Sequence, residues 1–190
     1  MPKDIFEIRL HGRGGQGAKT AAAVLAEAAM ESGKYVQSFP EYGAERQGAP
    51  MKAFTRISDK KILLHTGVLN PDVVAVFDQT LLKSIPVAEG LDEERGVLIA
   101  NTSQGVEDVR RLTGFKGRIV VLDAVKIALE ELGKPITNTA MLGAIEKATN
   151  MVDYEELKKH LYEHFVHDLG KDIADKNINA FVRAYNEVKL

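Results

Sequence analysis

Ile5 to Gly33 reads IFEIRLHGRGGQGAKTAAAVLAEAAMESG, and three patterns follow one another within it. Ile5 to Leu10 alternates apolar and polar residues, the period of a strand with two unlike faces. Glycines then crowd positions 12 to 17, and Ala18 to Ser32 is alanine-rich with high helix propensity, ended by Gly33. Strand, tight loop and helix in that order open an α/β fold. Gly12-Arg13-Gly14-Gly15-Gln16-Gly17 also satisfies the G-x-G-x-x-G spacing in the context that gives it meaning.

Working outward, Tyr35 to Phe39 is a second short strand, followed by a polar, glycine-containing loop from Pro40 to Pro50. Met51 to Ile57 and Lys61 to His65 read as two strands of a hairpin around Ser-Asp-Lys, so an antiparallel element is expected in the sheet. Asp72 to Phe77, Gly96 to Ala100 and Arg118 to Leu122 are near-continuous apolar runs, as expected of strands covered on both faces. Ala124 to Leu132 and Asn138 to Thr149 have helical spacing. The stripes Tyr154, Leu157, Leu161, Phe165 and Ile178, Phe181, Tyr185, Val188 give two amphipathic helices broken at Gly170.

The fold class expected is α/β: a three-layer Rossmann-like domain with a mixed, mainly parallel sheet and two C-terminal helices covering it. Residues 1–190 are read as one domain, 1–150 forming the sheet core and 151–190 a helical extension packed on it. With 190 residues, 45% of them apolar, the chain can bury one sizeable core. A net charge of −2 gives no reason to expect nucleic acid or a membrane surface as partner. No apolar run approaches the roughly 20 residues of a membrane span, and the start MPKDIFEIRL lacks a signal-peptide block, so a cytoplasmic location is expected. The sequence has no cysteine, which removes thiolate nucleophiles, cysteine-ligated zinc and ordinary iron–sulfur ligation.

The glycines allow close approach of a ligand to the main chain, and the following helix offers unpaired N–H groups and a positive dipole end to a phosphate or carboxylate. Arg13 adds a fixed charge. A dinucleotide would call for an acid about 20 positions on at the end of the second strand, but Gln37-Ser38-Phe39-Pro40 stands there and the first acid is Glu41, so NAD is disfavoured. Lys19 does not directly follow a glycine, so a triphosphatase loop is not matched. The other reading is a turn whose glycines serve packing or a subunit contact. The loop Pro40-Glu41-Tyr42-Gly43-Ala44-Glu45-Arg46-Gln47-Gly48-Ala49-Pro50 gathers carboxylates, a tyrosine and an arginine between prolines, as a rim for the glycine loop or a docking surface.

HGRGGQG at His11 to Gly17 followed by FPEYGAERQGAP at Phe39 to Pro50 resembles the gamma subunit of pyruvate:ferredoxin oxidoreductase and its 2-oxoisovalerate relatives, of the 2-oxoacid:acceptor oxidoreductase family. The resemblance continues through AFTRISDKKI at Ala53, NPDVVAVFDQTLL at Asn70 and NTAMLGA at Asn138, and it departs at Gln47, where related sequences often carry a second basic residue. It implies an enzyme of alpha, beta, gamma and delta subunits that decarboxylates pyruvate or a branched-chain 2-oxoacid oxidatively onto coenzyme A and passes electrons to ferredoxin. Thiamine diphosphate, magnesium and iron–sulfur clusters would belong to partner subunits, and this chain would have a structural or coenzyme A-binding role and be inactive alone. The cofactor-contact candidates carried by the matching loops are Gly12, Arg13, Gly14, Gly15, Gln16, Gly17, Glu41, Tyr42, Glu45 and Arg46. A free-standing nucleotide-binding oxidoreductase or ligand sensor, and a purely structural spacer, are the alternatives.

Asp78, Asn101 and Asp123 each end an apolar strand on the same edge as the glycine loop, and helix N-capping is the role expected of them. His160, His164 and His167 share a helix flank, where a partner boundary is favoured over metal. His11 and His65 read as strand-edge residues with ordinary hydrogen bonds.

Overall fold

The computed structural model describes residues 4–42 and 48–189. Its elements are β1 (Ile5–Arg13), α1 (Ala18–Glu31), β2 (Tyr35–Tyr42), β3 (Pro50–Ser58), β4 (Val73–Val76), α2 (Leu81–Ser84), β5 (Val97–Asn101), α3 (Val106–Thr113), β6 (Arg118–Leu122), α4 (Ala124–Leu132), α5 (Asn138–Thr149), α6 (Tyr154–Leu169) and α7 (Lys171–Glu187). The six strands form one sheet in the order β2-β3-β1-β4-β5-β6. β3 runs antiparallel to both β1 and β2, while β1, β4, β5 and β6 pair in parallel, so the sheet is mixed and mainly parallel as expected.

The antiparallel element lies elsewhere than the sequence suggests. Met51 to Ile57 does not form a hairpin with Lys61 to His65, which adopts no strand. It lies instead between β1 and β2, with Arg13 opposite Pro50 and Tyr42 opposite Met51. β2 is longer than read, continuing through Pro40 to Tyr42. An edge strand tolerates proline, since the missing N–H can face away from the ladder.

Alternation decides which face each strand residue serves. Ile8 and Leu10, both fully buried, join the β4, β5 and β6 residues Ala75, Ile99 and Val120 in the core under α1, α4 and α5. Alanines let α1 lie close to the sheet: Ala21, Ala22, Ala28 and Ala29 are all buried, and Thr55 Oγ1 donates to the Ala22 carbonyl at 2.8 Å. α6 and α7 pack on α1, α4 and α5, adding Leu157, Leu161, Phe165 and Phe181 to this core. α5 and α7 touch backbone to backbone, since a Cβ on Gly143 would sit 2.4 Å from the Phe181 carbonyl oxygen. On the other face, Val74, Val76, Leu98 and Ala100 pack against Leu81, Leu82 and Val109 of α2 and α3, completing three layers.

Neither α2 nor α3 covers that second face at β1 and β3. Glu7, Arg9, His11 and Arg56 are nevertheless buried there. Arg56 Nε donates to Glu7 Oε1 at 2.9 Å, with further bonds to Gln37 Oε1 at 3.2 Å and the Gly67 carbonyl at 3.3 Å. A charged pair is held out of water only when its remaining donors are satisfied, and here the Gln37 side chain and the Gly67 main chain satisfy them.

Candidate functional site

β1 ends in the glycine loop, where Gly12, Gly15 and Gly17 differ in their structural reasons. A Cβ on Gly12 would meet Ala18 Cβ at 3.1 Å and Phe77 Cβ at 3.5 Å, so this position permits helix and strand to close on one another. Gly17 begins α1 at φ +82°, and its Cβ would come within 2.7 Å of Asn138 Cβ at the start of α5. Gly15 also has positive φ, +92°, but open space around it. Gly14 and Gly15 are therefore the exposed tip, and α1 opens without a side-chain cap on its first-turn N–H groups.

The loop's side chains converge on Asp78, at the end of β4. Arg13 Nε and Gln16 Nε2 donate to Asp78 Oδ2 at 3.1 and 2.8 Å, and Thr80 donates to Oδ1 from its N–H at 2.8 Å and its hydroxyl at 2.6 Å. Gln16 Oε1 in turn accepts the Arg13 N–H at 2.7 Å. Burial opposes ionisation of Asp78, but the Thr80 and Gln16 hydrogen bonds and the Arg13 charge outweigh it and hold the carboxyl below its usual range. The remaining Arg13 nitrogens donate to the Gly48 carbonyl at 2.7 Å and to Thr80 Oγ1 at 2.9 Å. Arg13 thus ties the two sequence motifs together and is not a free cation for a phosphate.

This departs from the expected roles of the strand-end residues. Asp123 does cap α4, accepting the Lys126 N–H at 2.9 Å. Asn101 instead bridges the end of β4 and the start of α4, donating to the Phe77 carbonyl at 2.8 Å and accepting the Ala124 N–H at 3.0 Å. Asp78 is the hub of the glycine loop, which the sequence does not announce because its partners lie 62 and 65 positions away. Beside the hub a crevice of about 360 Å³ runs along the strand ends, lined by Gln16, Gln79, Thr80, Thr102, Ser103 and Asp123 among others. The sheet's carboxyl edge is where open α/β folds hold ligands.

The candidates of the second loop divide. Glu41 lies on β2 opposite Lys52, 3.6 Å from its Nζ, and faces a different cavity from the glycine loop. Tyr42 contributes backbone to the end of β2. Glu45 and Arg46 lie outside the described residues. Of the helical histidines, His160 joins α6 to α1, its ring nitrogens 2.9 Å from Glu31 and 3.2 Å from Glu27, while His167 on the same flank is exposed. Among the described residues no cluster of His, Asp and Glu could hold a metal ion.

The second cavity, about 300 Å³, opens on the polar face of β1 and was not anticipated from the sequence. Arg9 forms its floor, donating through Nε to His11 Nε2 at 3.0 Å and through its other nitrogens to the carbonyls of Val68, Val87 and Glu89. Burial, then the charges of Arg9 and Lys52, push the His11 imidazole down to about 3, so the ring is neutral. The signal available was the polar series Glu7, Arg9, His11 on a strand followed by long aperiodic segments able to cover it.

Comparison with known proteins adds the family. Residues 7–187 match the pyruvate ferredoxin/flavodoxin oxidoreductase family. Pyruvate synthase subunit PorC of Thermotoga maritima is 52% identical over 189 residues, covering 100% of this chain and 97% of that one. The common gamma subunit of the pyruvate/ketoisovalerate oxidoreductases of Thermococcus kodakarensis is 49% identical over 184 residues, covering 96% and 97%. The crystal structure of the Thermotoga maritima pyruvate oxidoreductase subunit superposes with a TM-score of 0.89 over 98% of each chain, at 51% identity.

Proposed function

The chain belongs to the pyruvate ferredoxin/flavodoxin oxidoreductase family as a gamma-type subunit, and from that premise we propose that it works inside a pyruvate:ferredoxin oxidoreductase, helping to hold coenzyme A at the glycine loop. Its partners are then alpha, beta and delta subunits in the cytoplasm, with ferredoxin as the electron acceptor of the complex. Having no cysteine, the chain offers no thiolate to an iron–sulfur cluster, so cluster chemistry falls to the other chains, together with thiamine diphosphate and magnesium. The names of the relatives, subunits of multichain enzymes, favour this over a free-standing nucleotide-binding oxidoreductase.

One observation carries the ligand reading: the exposed Gly14–Gly15 tip leads into the uncapped first turn of α1 and borders the polar crevice, while each Arg13 nitrogen makes a bond within the chain. A coenzyme A pyrophosphate can take main-chain N–H groups there, and Lys19, exposed on the first turn, supplies the charge. Arg13 acts by positioning, and reaches the second loop at Gly48. Gly12 and Gly17 are explained by internal packing and need no ligand.

Purification of the native complex tests the first part: this chain should copurify with thiamine-bearing and cysteine-rich chains, and a stable lone chain would sink it. For the second, Gly15→Ala and Lys19→Ala in the assembled enzyme should raise the KM for coenzyme A about tenfold with the pyruvate KM unchanged. Unaltered coenzyme A affinity in both would leave the loop a packing device.

A further inference from the structure

We propose that Asn138 completes the anion cradle of the glycine loop, its Nδ2 donating to the pyrophosphate that the first turn of α1 receives, so that two helix N-termini serve one ligand. The proposal rests on the coenzyme A reading and deepens it by naming a side-chain contact that lies outside both loops.

α5 begins where α1 begins. A Cβ on Gly17 would lie 2.7 Å from Asn138 Cβ, so the first residue of α5 sits against the residue that opens α1. Gly17 and Thr137 hold the two N-cap positions, and neither helix has a side-chain cap or an acid in its first turn. The other long helices differ: Asp123 caps α4, Asp153 caps α6, and α3 and α7 carry acids in their first turns. A helix N-terminus carries a partial positive charge, and two set side by side without a carboxylate favour an incoming anion. Lys19, exposed in the first turn of α1, adds charge of the same sign.

The Asn138 amide points the same way. Asn138 is only 7% exposed, and an amide buried without partners is costly. Its Oδ1 has a 3.4 Å contact from the Thr139 hydroxyl, which is better placed toward Asn177 Oδ1 at 2.8 Å. Nδ2 has no hydrogen-bond partner among the described residues, and it lies 3.4 Å from the position of a Gly17 Cβ, beside the start of α1. Gly17 permits this approach, since any side chain there would displace the amide. A donor already held by packing against Gly17 loses little freedom when the ligand arrives.

The assembled enzyme tests the contact with Asn138→Ala, Asn138→Asp and Gly15→Ala. Asn138→Ala should raise the KM for coenzyme A about tenfold, the size expected of one hydrogen bond to a charged group, with kcat and the pyruvate KM unchanged. Asn138→Asp should raise it further, because a carboxylate then faces the pyrophosphate. Without coenzyme A, its melting temperature should be no lower than that of Asn138→Ala, since an acid suits a helix N-terminus. Inhibition by inorganic pyrophosphate should weaken in step with the coenzyme A KM, while inhibition by pantetheine, which has no phosphate, should match the parent. An unchanged coenzyme A KM in both Asn138 variants, beside a raised one in Gly15→Ala, would overturn the proposal and leave the coenzyme A reading standing. An unchanged KM in all three would overturn both. Weakened pantetheine inhibition would also overturn the proposal, because Asn138 would then shape the site without touching phosphate.

Discussion

On one face of β1, Ile8 and Leu10 meet alanines of α1 and the helices behind them; on the other, Glu7, Arg9 and His11 are also buried, beneath aperiodic chain. The first face is closed by area. Its contacts are non-directional, and small residues set the distance of approach. The second face is closed by direction: Arg9 and Arg56 reach main-chain carbonyls at Val68, Val87, Glu89 and Gly67, and each bond also fixes the loop that supplies it. A strand can therefore be enclosed on both sides with only one helical layer, provided that cations replace the missing helix.

The contrast can be broken most forcefully at Arg56. Arg56→Ala removes a fully engaged guanidinium from Glu7, and should cost about 3–5 kcal/mol of stability. Urea unfolding measures the loss, and amide exchange should rise locally across 61–72, where the Gly67 contact is lost. Leu10→Ala, on the opposite face of the neighbouring strand, should cost about 3 kcal/mol as a cavity without that local loosening. Equal loosening in the two variants would erase the distinction between the faces.

The helix-covered side has its own exception in Glu146 of α5, fully buried, with Oε1 unpartnered among the described residues and Oε2 accepting the Val152 N–H at 3.3 Å. Burial pushes its carboxyl up to about 7, Asp153 adding to the effect, against the backbone hydrogen bonds of Val152 and Met151. The folded chain then holds a proton that the unfolded chain releases near 4.5, so stability falls as pH rises from there to about 7. Glu146→Gln should remove that slope and be more stable than the parent by about 2–3 kcal/mol at pH 8, read from melting temperatures across pH. Parallel profiles would show that the carboxyl does not titrate there.

A smaller effect sharpens the comparison at the glycine loop. Asp78 has a depressed carboxyl, so its contribution is present above the unfolded value of 3.8 and is lost as pH falls through the lower folded value. Asp78→Asn should cost about 1 kcal/mol at neutral pH and flatten acid unfolding below pH about 4. In the assembled enzyme the same variant should shift coenzyme A affinity more than pyruvate affinity. An unchanged acid limb would assign the Arg13 network no energetic role.

The helix-covered face was legible in the sequence because its signals are local. Alanines at Ala21, Ala22, Ala28 and Ala29, and the apolar runs at Val73, Val97 and Arg118, lie in single windows whose period reports their burial. The polar face was not legible, since Arg9 meets Val68 and Glu89 across separations of 59 and 80 residues. The misplaced hairpin has the same origin. Lys61 to His65 has strand composition, but its part is to cover the polar layer, where Gln37 Nε2 donates to the Leu64 carbonyl at 2.9 Å. At the site, the motif spacing located the loop correctly but not its hub, because Asp78 looks like any other strand-end acid until Arg13 and Gln16 are placed around it.

The clasp between α6 and α1, where His160 meets Glu27 and Glu31 across 133 and 129 residues, has a consequence for the order of synthesis. The alanine face of α1 is translated before the helices that finish covering its surroundings. A nascent chain therefore carries an unfinished apolar surface until α6 and α7 have left the ribosome. Truncations that stop short of Tyr154 should yield chains that engage chaperones or aggregate.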